Sequence, residues 1–193
     1  MFGLRKVKLT EKEKMIGGMM YIASDFELRA DFLKAKRLIH VYNKTREHET
    51  DIRKTLLEQL LYKIGENIYI EPPFRCDYGY NITVGENFYA NYDCIILDVS
   101  KVLIGNNVLF GPRVCIYTAG HPINAAPRNE GLEFGLPITI GDDVWLGGNV
   151  IVNPGITIGS NVVIGSGSVV TKDIPDNSLA VGNPCKVIRK INK

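Results

Sequence analysis

From Ile140 to Val170 an aliphatic residue recurs at every sixth position: Ile140, Leu146, Val152, Ile158, Ile164 and Val170. Gly, Asn or Thr follows each of them, and a small or branched apolar residue usually stands four places on. This period is neither that of an α-helix nor the alternation of a half-buried strand. It predicts a parallel β-helix whose coil is three short strands and three corners. The leading aliphatic and the residue four places on point into a narrow prism. The residue after the aliphatic falls near a corner, where glycine is expected to supply a positive φ. Coils stack at strand spacing, ~4.8 Å, so each inward side chain packs on its equivalent one coil away. A single repeat cannot bury its apolar face, whereas stacked repeats can.

The same step starts earlier in a less regular form. Val84-Gly85, Ala90-Asn91 and Ile96-Leu97 lead three sixes, two extra residues intervene, and Ile104-Gly105, Phe110-Gly111 and Ile116-Tyr117 resume. Pro72-Pro73 marks a bend. The β-helix is therefore expected over 66–193, with its last coil ending near Ile174 and a basic tail beyond. Between Thr118 and Pro137 the pattern fails and then restarts cleanly. A stretch of that length outside the repeat reads as a functional arm thrown out from a rigid scaffold.

Residues 10–64 read as helical, and 1–65 as a cap over the open end of the prism. A terminal coil needs covering because its unpaired strand edges invite association. Ser24-Asp25-Phe26-Glu27 has the form of a capping box with Ser24 as N-cap. Leu28, Phe32, Ile39 and Tyr42 supply apolar surface to the helix that follows. A further helix is expected from Thr50, with Ile52, Leu56, Leu60 and Ile64 as its stripe and Gly65 as its stop.

Composition narrows the class. The chain has 193 residues, 45% hydrophobic and 23% charged, an ordinary soluble balance. The net charge of +2 gives no case for nucleic acid or an anionic membrane surface. Met1-Phe2-Gly3-Leu4-Arg5-Lys6 lacks the apolar core of a signal peptide, and no run approaches a membrane span. Cys76, Cys94, Cys115 and Cys185 are far apart, with no C-x-x-C pair, and read as free thiols in a cytoplasmic protein.

Five motifs together resemble the maltose/galactoside O-acetyltransferase family of hexapeptide-repeat acyltransferases. They are Tyr21-x-x-x-Asp25-x-Glu27-Leu28, Asp77-Tyr78-Gly79-Tyr80-Asn81-Ile82, Asn87-Phe88-Tyr89-Ala90-Asn91, Gly120-His121-Pro122 and Gly182-Asn183-Pro184. The resemblance implies a mainly β fold, a left-handed parallel β-helix, assembled as a homotrimer with active sites between neighbouring prisms. It implies acetyl-CoA as co-substrate, no required metal, and a small hydroxylated acceptor such as a sugar. It also implies a catalytic His121, acting as general base on the acceptor hydroxyl. On its own, a loop histidine reads equally as a solvated side chain, as His40 and His48 do. Imidazole suits the base because its pKa lies near working pH.

The resemblance further implies acceptor binding by Asp77, Asn91 and Asp98, with Asp25 reaching in from the cap. The same residues also suit coil corners. Relatives with a second acidic residue after Asp98 have Val99 here. On the donor side it implies Ser166, Thr171 and Lys172 at the pantetheine arm and phosphates, and Lys186 and Arg189 at the nucleotide end. Gly148 stands where relatives can carry a serine, so its backbone N–H is expected to hold the oxyanion. Glu130 or Glu133 is the candidate to orient His121. Trp145 is expected to face outward, toward CoA or a neighbouring subunit. A cysteine nucleophile at Cys115 has no histidine at a supporting spacing. A zinc lyase on the same coil needs several histidines, and His121 is the only one within the predicted β-helix. A silent scaffold or an acetyltransferase for a non-sugar acceptor remain as alternatives.

Overall fold

The computed structural model describes residues 8–192; the segment assessed above for a signal peptide lies outside them. Three strand-bearing faces wind into a parallel solenoid. The first face stacks Tyr69–Ile70, Tyr89–Ala90, Leu109–Phe110, Val144–Leu146, Val162–Ile164 and Ser178–Val181. The second stacks Arg75–Cys76, Ile95–Leu97, Cys115–Tyr117, Ile151–Val152 and Val169–Val170, and the third Ile82–Val84, Val102–Ile104, Ile138–Ile140 and Thr157–Ile158. Inward residues form continuous columns, as the hexads require. Ile70, Ala90, Phe110, Leu146, Ile164 and Ala180 lie in register on the first face, and all are buried. The coil starts slightly earlier than expected, with Lys63 bridging Thr83, and runs past Ile174 to Val181 before Lys186–Lys190 folds back antiparallel.

One expectation about the corners is wrong in an instructive way. The glycine after the aliphatic does not take the positive φ; the residue two places further on does. Asn87, Asn107, Asp143, Asn161 and Asn177 occupy that position with φ between 53° and 56°, as does Asn67 in the first coil. These side chains also hydrogen-bond from coil to coil, with Asn87 Nδ2 to Asn107 Oδ1 at 2.9 Å and Asn107 Nδ2 to Asp143 Oδ1 at 2.9 Å. Glycine is needed for close approach instead. A Cβ on Gly105 would sit 2.7 Å from the carbonyl carbon of Gly141, one coil on.

The helical segment is three helices: α1 (Glu11–Ile16), α2 (Phe26–Tyr42) and α3 (Thr50–Leu60). The capping box belongs to α1, where Thr10 and Glu13 bond each other's backbone N–H groups. At α2 the N-cap is Asp25, not Ser24, and its Oδ1 accepts from the Glu27 and Leu28 N–H groups. On α3 the buried face is Arg53, Leu57 and Leu60, whereas Ile52 is exposed; Gly65 is not the helix stop, since the C-cap is Leu61. Arg53 is tolerated inside because Thr45 and the Tyr69 hydroxyl accept its N–H donors.

The cap works by satisfying the first coil's free edge. Tyr42 donates its hydroxyl to Ile70 O, and the Asn43 amide exchanges two hydrogen bonds with Phe74 N and O, each 2.9 Å. Lys36 Nζ reaches Cys76 O at 2.7 Å. No helix among the described residues is long and apolar enough to cross a membrane, and the four cysteines are free.

Candidate active site

The corner between the second and third faces widens in three successive coils. From Cys76 to Ile82 and from Ile96 to Val102 the chain takes six residues where Val152 to Ile156 takes four. In the intervening coil it runs from Ile116 all the way to Ile138. The two extra residues noted in the sequence and the long excursion are thus one feature, repeated on one edge of the prism.

The excursion is ordered. Ala119–Gly120 and Leu132–Gly135 form an antiparallel hairpin, closed by the short helix α4 (Ala125–Asn129). Tyr21–Ile22 from the cap adds a third strand. Gly120 lets the Phe134 ring lie close over the strand, since a Cβ would come 2.5 Å from that ring. Arg128 Nη1 donates to Pro122 O at 3.1 Å and Ile123 O at 2.7 Å, which fixes the turn that carries His121.

His121 is exposed at the edge of this hairpin. Its Nδ1 lies 3.4 Å from Leu132 O. With Nδ1–H donating there, the neutral ring keeps a lone pair on Nε2 for use as a base. The orienting partner is therefore a backbone carbonyl. Neither Glu130 nor Glu133 hydrogen-bonds the ring, which corrects the expectation for those two residues. The imidazole borders a cavity of about 280 Å³ lined by Asp77, Tyr78, Glu133 and Arg29 on its polar side and by Leu28, Phe32, Leu97 and Val99 on its apolar side. Burial raises the Asp77 carboxyl above the ordinary range, Lys36 at 3.8 Å opposes that, and Glu133 adds to it.

Two of the four residues expected at the acceptor do other work. Asp98 is completely buried and accepts backbone N–H bonds from Asp77, Tyr78 and Asn81 at 3.0, 2.9 and 3.3 Å. It shapes the cavity corner from beneath and does not line it. Asp25 gives its Oδ1 to the N-terminus of α2; Ala23, two residues earlier, reaches the wall together with Leu28, Arg29 and Phe32 of the cap. The lining residues Glu133, Phe32 and Arg29 were not singled out for acceptor binding, since only the folded hairpin and the docking of α2 bring them to Asp77.

The remaining candidates lie elsewhere on the chain. Asn91, Gly148 and Ser166 sit on the corner between the first and second faces. A Cβ at Gly148 would meet only ordinary contacts at 3.4 Å, so packing does not demand glycine there. Its N–H has no hydrogen-bond partner among the described residues. Thr171 and Lys172 are exposed on the excursion corner, two coils beyond the hairpin. Lys186 and Arg189 are exposed on the antiparallel strand that ends the first face. Trp145 points outward and is 54% exposed between Leu109 and Val163. The Cys115 thiol is outside the cavity, with Arg113 O at 3.5 Å.

A hexapeptide solenoid with a histidine on an ordered hairpin beside a small polar-edged cavity is the architecture of an acyl-transferring enzyme. The comparisons narrow this. Residues 14–65 match the maltose acetyltransferase hexapeptide capping motif, and residues 137–172 the bacterial transferase hexapeptide of six repeats. A maltose O-acetyltransferase from Clostridium difficile 630 is 58% identical, with a TM-score of 0.95 over 96% of this chain and 99% of that one. A galactoside acetyltransferase solved in complex with coenzyme A is 42% identical, with a TM-score of 0.92 over 96% and 92%. Nodulation protein L of Rhizobium meliloti is 47% identical over 92% of this chain and 97% of its own. The chain belongs to the maltose/galactoside O-acetyltransferase family of hexapeptide-repeat acetyltransferases.

Proposed function

We propose that the protein transfers an acetyl group from acetyl-CoA directly to a hydroxyl of a sugar or similar small acceptor. The observation that carries this reading is His121. Its Nδ1 is tied to Leu132 O while the ring borders a cavity sized for a small molecule and edged by carboxylates. Nε2 takes the acceptor hydroxyl proton as the oxygen attacks the thioester carbonyl. The tetrahedral oxyanion is held by the Gly148 N–H. Its collapse breaks the C–S bond, and the imidazolium returns the proton to the departing CoA thiolate. Ser166, Thr171 and Lys172 hold the pantetheine arm and phosphates, and Lys186 and Arg189 meet the nucleotide end. Asp77 binds the acceptor from the same chain as His121, and Asn91 from a second chain.

That last assignment requires a second chain, and the assembly we propose is a homotrimer. Within one chain His121 stands on one corner, whereas Asn91, Gly148 and Ser166 stand on another. Apposing the excursion corner of one prism to the other corner of its neighbour completes the site. Light scattering is expected to give the mass of three chains, and a fully active monomer would overturn this arrangement.

The test of the activity is release of CoA thiol from acetyl-CoA across a panel of sugars and hydroxylated xenobiotics. Strong turnover with one sugar class supports the reading. The apolar wall of Leu28, Phe32, Leu97 and Val99 favours acceptors with one apolar face, so aryl and alkyl glycosides and non-sugar alcohols belong on the panel. Turnover confined to the non-sugar alcohols replaces the sugar assignment. No turnover together with no CoA binding by calorimetry leaves a silent scaffold.

A further inference from the structure

The cap does more than close the prism. Strand Tyr21–Ile22 pairs antiparallel with the excursion hairpin, with Tyr21 opposite Glu133 and Ile22 opposite Leu132. Leu132 is the residue whose carbonyl orients His121. Glu133 lines the acceptor cavity, and its Oε2 accepts the Tyr21 hydroxyl at 2.8 Å. Its other oxygen has no hydrogen-bond partner among the described residues. Tyr21 itself is fully buried, packed with Met15, Leu28, Tyr78 and Val99. A buried phenol needs a partner for its hydroxyl, and Glu133, 112 residues away in sequence, is the one it has.

These contacts have a directional consequence. A free glutamate side chain samples several rotamers, and binding through it loses that freedom. A glutamate with one oxygen already bonded to a rigid, buried phenol presents its second oxygen in a fixed place. A carboxylate only accepts, so the matching ligand group is a donor, a second hydroxyl or an amine on the acceptor molecule.

We propose that Tyr21 is a positioning residue for acceptor binding: its hydroxyl holds the Glu133 carboxylate at the wall of the His121 cavity, where the free oxygen takes a hydrogen bond from the acceptor. The proposal rests on the transferase reading of this site. It makes the N-terminal cap part of the specificity apparatus.

The test compares Tyr21→Phe, Glu133→Gln and the double variant with the wild-type enzyme, using the best acceptor from the panel. Tyr21→Phe keeps the ring and the strand and removes only the hydroxyl. Its KM for the acceptor is expected to rise about tenfold, the size of one hydrogen bond to a charged group. The KM for acetyl-CoA stays unchanged, and the double variant is no worse than Glu133→Gln alone, because the two residues act as one unit. An unchanged acceptor KM overturns the proposal. So do additive effects, or a fall in kcat that tracks a fall in melting temperature, since both describe a purely structural tyrosine. If the wild type turns over no acceptor on the panel, the transferase reading is judged separately, by whether CoA binds. Tyr21 is then judged from a crystal structure of Tyr21→Phe: a displaced Glu133 carboxylate supports the positioning role, and an unmoved one overturns it.

Discussion

Replacing His121 with alanine is expected to lower kcat by about 10²–10⁴-fold, the contribution of a well-placed general base, with little change in thermal stability. The two halves of this expectation have separate grounds. The imidazole is exposed, and its one protein hydrogen bond is the 3.4 Å contact with Leu132 O, so truncation removes little that holds the fold. The hairpin keeps its shape through strand pairing and through the two bonds from Arg128, neither of which involves the ring. The chemistry, by contrast, loses the group that takes the hydroxyl proton in the proposed mechanism. The check is steady-state kcat and KM alongside a melting curve. A variant that keeps wild-type kcat would mean another group removes the proton, and Asp77 and Glu133 are the carboxylates in the same cavity. A variant that loses activity and melts early would instead make His121 a structural residue.

How much of this could be read from the sequence depends on whether the information is periodic. The column Ala90, Phe110, Leu146 and Ile164 follows from a six-residue step, because parallel stacking repeats the same environment in every coil. The break after Thr118 was equally visible, and so was the pair of extra residues before Ile104. That both belong to one widened corner was not visible, since sequence spacing says where a residue falls along its coil and not which corners stack. The role of the hexad glycines was misread for a related reason. Close approach of Gly105 to Gly141 is a contact between coils, and the positive φ moves to Asn107, two residues on.

At the site, the carriers of function that escaped are those set by backbone or by distant pairing. The partner of His121 is a carbonyl, which no side-chain motif records. Tyr21 and Glu133 meet only because the cap adds a strand to the hairpin. Asp25 and Asp98 failed as cavity residues for the opposite reason: local demand claims them first, as a helix N-cap and as a buried acceptor for three N–H groups.

Asp98 is where the largest loss of stability is expected. Its carboxylate gathers the N–H groups of Asp77, Tyr78 and Asn81, while Asn81 Nδ2 donates back to Asp98 O at 2.7 Å. Asp98→Ala leaves three N–H groups without their acceptor in a site closed to water. Each unsatisfied buried donor costs about 1–3 kcal/mol, so a loss on the order of 3–5 kcal/mol is expected, a large fraction of a domain's ~5–15 kcal/mol. Asp98→Asn should cost less, because its carbonyl still accepts from Asp77 and Tyr78 and only its amide faces the Asn81 N–H. The pH dependence separates the two effects. Burial pushes the Asp98 carboxyl from 3.8 up to about 7, against the lowering effect of the N–H donors. The folded chain then holds this proton over a range where the unfolded chain has lost it. The stabilisation is fully present below the ordinary carboxylate range and is lost as pH rises through about 7. Both variants should therefore lose that slope between pH 4 and 7, whereas only the alanine variant should also be weakened severely at every pH. Urea titrations across that range would measure it, and a slope that survives in Asp98→Asn would assign the titration to another group. Because the corner held by Asp98 carries Asp77 and Tyr78 into the cavity, whatever fraction of Asp98→Ala remains folded should also bind the acceptor more weakly.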